Sequence, residues 1–236
     1  MVNGINIVIL GNSFIQYLQE INGLQVVINH MPFFLGGALL TLEITALSVF
    51  FGMIIGLFFG LGKLSNNGLI YGLSTTYIDF FRGTPLFVQI LLLYFGILPL
   101  FADVGAFAAA VIACSLNSGA YIAEIVRAGI QAIDRGQVEA ARSLGMTQSQ
   151  AMRYVVLPQA YKVVIPPLIN EFIAMLKDTS LVSIIAASEL THRGKIVYSV
   201  YYEAAWVWGT IALIYFVMTK CLSMLGDWIE RRLANE

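Results

Sequence analysis

The chain has 236 residues, of which 58% are hydrophobic and only 11% are Asp, Glu, Lys or Arg. Its mean hydropathy is +0.80, whereas soluble domains carry about 25% charged residues, so composition argues against a soluble single-domain enzyme and excludes a disordered chain. Thirteen basic against fourteen acidic residues give a net charge of −1, which leaves no basic patch for nucleic acid, and the length allows one or perhaps two domains.

The N-terminal 34 residues contain no Lys or Arg, the first being Lys63. A cleaved signal peptide wants a positive n-region, so residues 5–30 are read instead as a short interfacial helix or elbow. Uncharged runs then locate the membrane segments: Ile44 to Gly62 (19 residues), Gly83 to Ala102 (20), Val104 to Ala123 (20) and Ala204 to Thr219 (16). A bilayer core needs about 20 apolar residues in a helix. The last run extends past Lys220 if the lysine snorkels. A fifth run, about 163–187, is apolar except for Glu171, Lys177 and Asp178. The predicted fold is therefore all-α, with five membrane spans at about 35–62, 77–101, 106–126, 163–185 and 204–225. These make up a transmembrane domain over 35–226. Residues 1–34 precede it, a cytoplasmic loop spans 127–162, and 227–236 form a cytoplasmic tail.

Cationic residues set the orientation. With the N-terminus outside, Lys63, Arg127, Arg135, Arg142, Arg153, Lys162, Lys220, Arg231 and Arg232 lie inside, and only Arg193 and Lys195 lie outside. That is a clear positive-inside bias, and it makes the chain N-out and C-in. Cys114 and Cys221 fall at different depths, about 13 Å apart along the membrane normal at 1.5 Å per residue, so they are read as free thiols.

Gly52, Gly56 and Gly60 repeat at four-residue spacing, which lets two helices approach closely. Gly83-Thr84-Pro85 opens the second span, where proline predicts a bend or a helix start. Asp79 and Arg82, just before it, can pair at i, i+3, as can Glu124 and Arg127.

The cytoplasmic loop is the most informative stretch. Glu139 to Leu144 is rich in helix formers, and Gly145 stands where a C′ glycine would end the helix. Thr147 followed by Gln150 is a capping-box pattern that starts a second helix. That helix is expected to stop at Leu157-Pro158. The small Ala140-Ala141 pair suits insertion into a groove on another protein. Periodicity alone equally fits an amphipathic hairpin lying on the membrane.

The spacing of Glu139-Ala140-Ala141, Gly145, Val155 and Leu157-Pro158 resembles the signature loop of ABC importer permeases, with Val155 where that family usually has Ile. The likeness extends to Phe81-Arg82-Gly83-Thr84-Pro85-Leu86, to Leu116-Asn117-Ser118-Gly119-Ala120-Tyr121, to Ala123 through Arg127 and to Lys177 through Ser183. These stretches look like the polar amino acid branch, with its permeases for histidine, glutamine, glutamate and arginine, and the likeness runs from about 35 to 233. It implies the type I importer permease fold and a non-catalytic subunit of a binding-protein-dependent importer in the bacterial inner membrane. The implied partners are two copies of an ATPase, a second permease that is either identical or homologous, and a periplasmic or lipid-anchored amino-acid-binding protein. No cofactor is expected on the chain itself, since the nearest approach to a phosphate-binding GxxxxGK[ST] loop, Gly62-Lys63, is followed by Leu64 and preceded by a membrane span. ATP and Mg²⁺ are expected on the partner ATPase. The implied ATPase-coupling residues are Glu139, Ala140, Ala141, Gly145, Leu157 and Pro158.

Charge inside the bilayer supplies the second set of candidates. Each such group costs roughly 2.5–3.5 kcal/mol on insertion scales, so Glu171, Lys177 and Asp178 should face protein or a wet cavity. Glu171 and Asp178 are seven apart and share a helix face; Lys177 points about 100° away at 3.6 residues per turn. In the third span, Asn117, Tyr121 and Glu124 form a polar stripe. Asn117, Ser118, Tyr121, Glu171, Lys177 and Asp178 are the substrate-path candidates, with interhelix packing as the competing role. Glu189-Leu190-Thr191-His192 contains no HExxH, and one His with one Glu is a weak metal or catalytic set. It is read as a solvated external loop touching the binding protein. A membrane enzyme would need clustered nucleophile, base or metal ligands that are not seen; a passive channel or assembly anchor remains the rival reading.

Overall fold

The computed structural model describes residues 2–234, with side chains from Asn22 to Leu233. Among them the chain is helical apart from short turns and links: α1 Val2–Gly62, α2 Gly68–Gly83, α3 Leu86–Leu91, α4 Ala106–Gln131, α5 Arg135–Ser143, α6 Gln148–Ala151, α7 Leu157–Asp178, α8 Leu190–Tyr201 and α9 Ala204–Ala234. A π-helical segment, Leu92–Ile97, and a 3-10 turn, Leu98–Leu100, continue α3. A second π-helical segment, Met152–Val156, joins α6 to α7, and a 3-10 stretch, Thr179–Ile185, follows α7.

The first helix corrects the expectation of a separate element over 5–30. It runs unbroken to Gly62 with Pro32 inside it, and its stretch from Asn22 to Gly62 is apolar enough to count as a single span. Pro32 is tolerated there because tertiary packing compensates for the lost backbone bond. Phe34 and Ala38, just beyond the proline, are buried in a cluster with Leu190, Val197, Val207 and Ile211 of α8 and α9. The side chains of residues 2–21 lie outside the described residues.

The expected span over 77–101 is broken. The α2 helix meets the Leu86–Leu100 run at 107°, with Thr84 extended (φ −120°, ψ 148°) and Pro85 as the N-cap. Proline disfavours the α conformation of the residue before it, which explains Thr84. Gln89 then repairs the break: its buried amide nitrogen lies 2.8 Å from the Phe81 carbonyl, 3.0 Å from the Thr84 carbonyl and 2.8 Å from Thr84 Oγ1.

The most deeply packed helix is α4. It lies against α1 through the glycine repeat: a Cβ at Gly56 would sit 2.6 Å from Ile122 Cγ2 and 2.9 Å from the Gly119 carbonyl, and one at Gly60 would sit 2.8 Å from the Ala123 carbonyl. The expected close approach is borne out, because the absent side chains are what bring the two backbones together. Around this contact forms the larger core, which includes Ile44, Val49, Ile90, Cys114, Ile122, Met175, Val182 and Ile185. Cys114 is buried and Cys221 exposed, both free.

Among the described residues three helices are long and apolar enough to cross a bilayer, and the bent α2–α3 pair, taken as one span, is a fourth. At 22 residues, α7 is about 33 Å long at 1.5 Å per residue. It has the length of the span expected over 163–185, but Lys162, Glu171, Lys177 and Asp178 lower its hydropathy. The last helix does not end near 225 but continues to Ala234.

Candidate functional site

The cytoplasmic elbow is assembled from local capping signals. Asp134 starts α5 by accepting from the Gly136 N–H at 2.6 Å. Gly145 ends it at φ +89°, a conformation that glycine adopts without steric cost. The Gly145 N–H donates to the Arg142 carbonyl (3.0 Å) and the Met146 N–H to the Ala141 carbonyl (3.2 Å), the two crossed bonds of a Schellman termination. The capping box is present in full: the Thr147 N–H donates to Gln150 Oε1 at 2.8 Å, and the Gln150 N–H donates to Thr147 Oγ1 at 3.3 Å.

Two expectations about this elbow need correction. Leu157-Pro158 does not stop a helix. It lies in the first turn of α7, directly after the π-helical segment Met152–Val156, whose wider bonding, with the Leu157 N–H donating to the Met152 carbonyl, carries the helix past the proline's missing donor. The helical path therefore continues from α6 through the Met152–Val156 turn into the charged part of α7. The Ala140-Ala141 pair is also not exposed as a unit. Ala141 is buried, as are Ala151 and Val156, where α5 packs on the Met152–Val156 turn. Glu139, Ala140 and Gly145 are exposed, and a Cβ at Gly145 would meet nothing within 4 Å. Leu144, not singled out from sequence, is 85% exposed at the tip of the elbow. The signal for it was an apolar residue directly before the C′ glycine.

The path candidates do not form one cluster. Ser118 and Glu171 meet, with the Ser118 hydroxyl donating to Glu171 Oε1 at 2.9 Å. Asn117 is buried, and its amide donates to Gln89 Oε1 at 2.9 Å and lies 3.3 Å from the Phe81 carbonyl, which ties α4 to the α2–α3 break. Tyr121 is 38% exposed, and the Arg82 guanidinium lies 5.4 Å from its ring centre. Lys177 and Asp178 are exposed, and among the described residues neither belongs to an ion pair.

At the inner end of α4, five charged side chains meet. Glu124 accepts from Lys63 Nζ at 2.7 Å and from Arg127 Nη2 and Nε at 2.7 and 3.0 Å, and Arg82 Nη1 stands 3.8 Å away. The expected Glu124–Arg127 pair is thus one leg of a network. The expected Asp79–Arg82 pair is replaced: Asp79 faces Lys63 at 3.8 Å and Arg82 faces Glu124 at 3.8 Å, because α1 and α4 bring each residue a nearer partner.

Glu189 overturns the reading of a solvated loop. It is fully buried and caps α8, accepting from the Thr191 and His192 N–H groups at 2.8 and 2.7 Å. Among the described residues no group of three or more His, Cys, Asp or Glu could hold a metal ion.

Residues 48–235 match the family model for the binding-protein-dependent transport system inner membrane component. The arginine transport system permease protein ArtQ of Bacillus subtilis is 39% identical, over 88% of this chain and 95% of its own length. The glutamine transport system permease protein GlnP of Escherichia coli K12 is 36% identical, over 86% and 94%. A chain of the crystal structure of an amino acid ABC transporter with histidines is 47% identical, with a TM-score of 0.85 over 89% of this chain and 98% of that one. The inward-facing MetNI methionine ABC transporter shares the fold at 24% identity, with a TM-score of 0.74 over 87% and 98%. With the type I importer permease fold and an exposed, fully capped elbow before its charged helix, the chain belongs to the family of binding-protein-dependent transport system inner membrane components.

Proposed function

We propose that the chain is the membrane permease of an ATP-driven importer for polar or charged amino acids. Two such permeases, identical or homologous, work with two copies of a cytoplasmic ATPase and an external amino-acid-binding protein. ATP and Mg²⁺ reside on the ATPase. The substrate class is supported by the arginine and glutamine systems to which the relatives belong.

The observation that carries the coupling role is the elbow. Glu139, Ala140 and Leu144 are exposed on a short helix that Gly145 terminates rigidly, and Leu157 and Pro158 begin the helix that holds Glu171 and Asp178. Docking of α5 in a cleft of the ATPase would pass closure of that dimer along one helical path to the charged face. Ala141 holds the elbow together from within. In this scheme Glu171, Asp178 and Lys177 face a zwitterionic substrate and Tyr121 lines the path. Ser118 orients Glu171, and Asn117 fixes the bend beside it. The elbow is then an element whose position both the nucleotide and the substrate bias.

The test is uptake by the complete importer carrying Gly145→Phe or Glu139→Lys. Both variants are expected to insert normally and to lose uptake. Unchanged uptake in both would remove the docking role.

A further inference from the structure

Glu189 is the most completely satisfied charge among the described side chains, and the proposed transport mechanism does not use it. Its carboxylate accepts from two backbone N–H groups of α8 and from the Tyr215 hydroxyl of α9 at 2.9 Å; the Thr41 hydroxyl of α1, 3.4 Å away, shares its one proton with the nearer Gly37 carbonyl at 3.1 Å. The Leu190 N–H donates to Thr41 Oγ1 at 3.2 Å, and the Thr191 and Tyr215 hydroxyls are 3.1 Å apart. Four residues on, Arg193 donates to the Phe33 carbonyl of α1 at 2.8 Å and to the Ser188 carbonyl at 2.9 Å. Its guanidinium lies 4.8 Å from the centre of the Phe33 ring. A Cβ at Gly37 would stand 2.9 Å from Leu190 Cα, so the two backbones touch here.

These bonds converge on the smaller hydrophobic cluster, formed by α1, α8 and α9. That cluster is separate from the core that holds α4 and the end of α7. Only Thr179–Ile185 and a short turn join Asp178 to Glu189, and His192 Nδ1 lies 3.3 Å from the Ser183 carbonyl of that link. The outer end of the charged α7 face is therefore tethered to whatever Glu189 holds.

We propose that Glu189 is a positioning residue that locks the outer parts of α1, α8 and α9 into one rigid body and thereby fixes the outer end of the Glu171–Asp178 face during transport. Burial of a carboxylate against these donors, in a medium of low dielectric, makes such a network rigid only while every member is paired. Exchanging one carboxylate oxygen for an NH₂ group replaces an acceptor by a donor, which leaves a backbone N–H facing it without a partner. The lock loosens while shape is conserved. The positional consequence rests on the transport function proposed above; the rigidity does not.

The test uses the complete importer in proteoliposomes with its ATPase and binding protein. Spin labels are placed at Leu39→Cys on α1 and Val200→Cys on α8, both exposed sites, in a Cys221→Ser background. With native Glu189, one narrow label distance is expected in both the nucleotide-free and the ATP–vanadate states. Glu189→Gln is expected to broaden that distribution and to lower the ratio of binding-protein-stimulated to unstimulated ATP hydrolysis at least threefold. An unchanged distribution overturns the lock, and a broadened distribution with an unchanged ratio overturns its positioning role. If Glu189→Gln does not assemble, Tyr215→Phe, which removes one donor, is read by the same two measurements. If the native complex shows no stimulation at all, the transport reading fails, while the label distances still decide the lock.

Discussion

Two glutamates in the apolar body of this protein show how differently a carboxylate can be housed. Glu189 is 0% exposed and accepts three hydrogen bonds from α8 and α9, with the Thr41 hydroxyl of α1 at 3.4 Å beside them. Glu171, on α7, is half-buried and accepts one, from Ser118. An ionised carboxylate has about four lone-pair sites to fill. The first has little to spare, so its chemistry is spent on architecture. The second keeps acceptor capacity on an accessible face, one helix turn from Ala174 and two from Asp178, where a substrate ammonium could use it. The number of partners already satisfied, more than burial alone, separates a scaffold charge from a path charge.

That comparison can be broken from the scaffold side. The largest effect is expected where backbones touch: Gly60→Val forces a side chain to within 2.8 Å of the Ala123 carbonyl, and overpacking of about 1–3 kcal/mol or more should remove most assembled protein, read as detergent-extracted yield. Glu189→Ala comes next. It orphans the Thr191 and His192 N–H groups, each worth about 1–3 kcal/mol, and should lower the melting temperature and the yield together. Glu171→Gln should separate the two properties, with melting temperature near the native value and uptake reduced about tenfold, a change of about 1.4 kcal/mol. If Glu171→Gln instead melts like Glu189→Ala, the two carboxylates do not differ in kind. Gln89→Leu uncaps the carbonyls at the α2–α3 bend and should cost about 1–2 kcal/mol, seen as a moderate loss of thermal stability. The smallest effect belongs to Asp79→Ala, because an ion pair at 3.8 Å whose acid is 66% exposed contributes about 0–1 kcal/mol; a large loss there would mean the inner network is held differently.

What could be read in advance follows the same division between local and distant partners. Gly145, the Thr147–Gln150 box, the Gly52–Gly56–Gly60 repeat and the Glu124–Arg127 pair were legible because each is encoded within a few residues of chain. The Gly83-Thr84-Pro85 bend was legible for the same reason, though its 107° angle and its repair by Gln89 were not. Glu189 was misread because its acceptor sites are filled partly by Thr41 and Tyr215, which lie 148 and 26 residues away. Pro158 was misread because proline punctuates both the start and the end of helices, and only the turn before it, Met152–Val156, decides which. Asp79 and Arg82 had the right spacing for each other but nearer rivals on α1 and α4. Among the path candidates, Asn117 and Tyr121 share a stripe with Glu124 in sequence, yet each faces a different neighbour once α2 and α3 fold back beside α4.

The proposed coupling role of the elbow rests on its exposed tip, and Leu144 offers the cleanest way to probe it. At 85% exposure it supports almost nothing within its own chain, so changing it perturbs a partner rather than the fold. Co-purification of the partner ATPase with the Leu144→Glu permease, quantified against the native chain from the same membranes, measures that contact directly. Loss of most of the bound ATPase from a normally inserted permease is the predicted result; native amounts of ATPase, retained together with native uptake, would contradict an elbow that carries the ATPase's motion into the membrane.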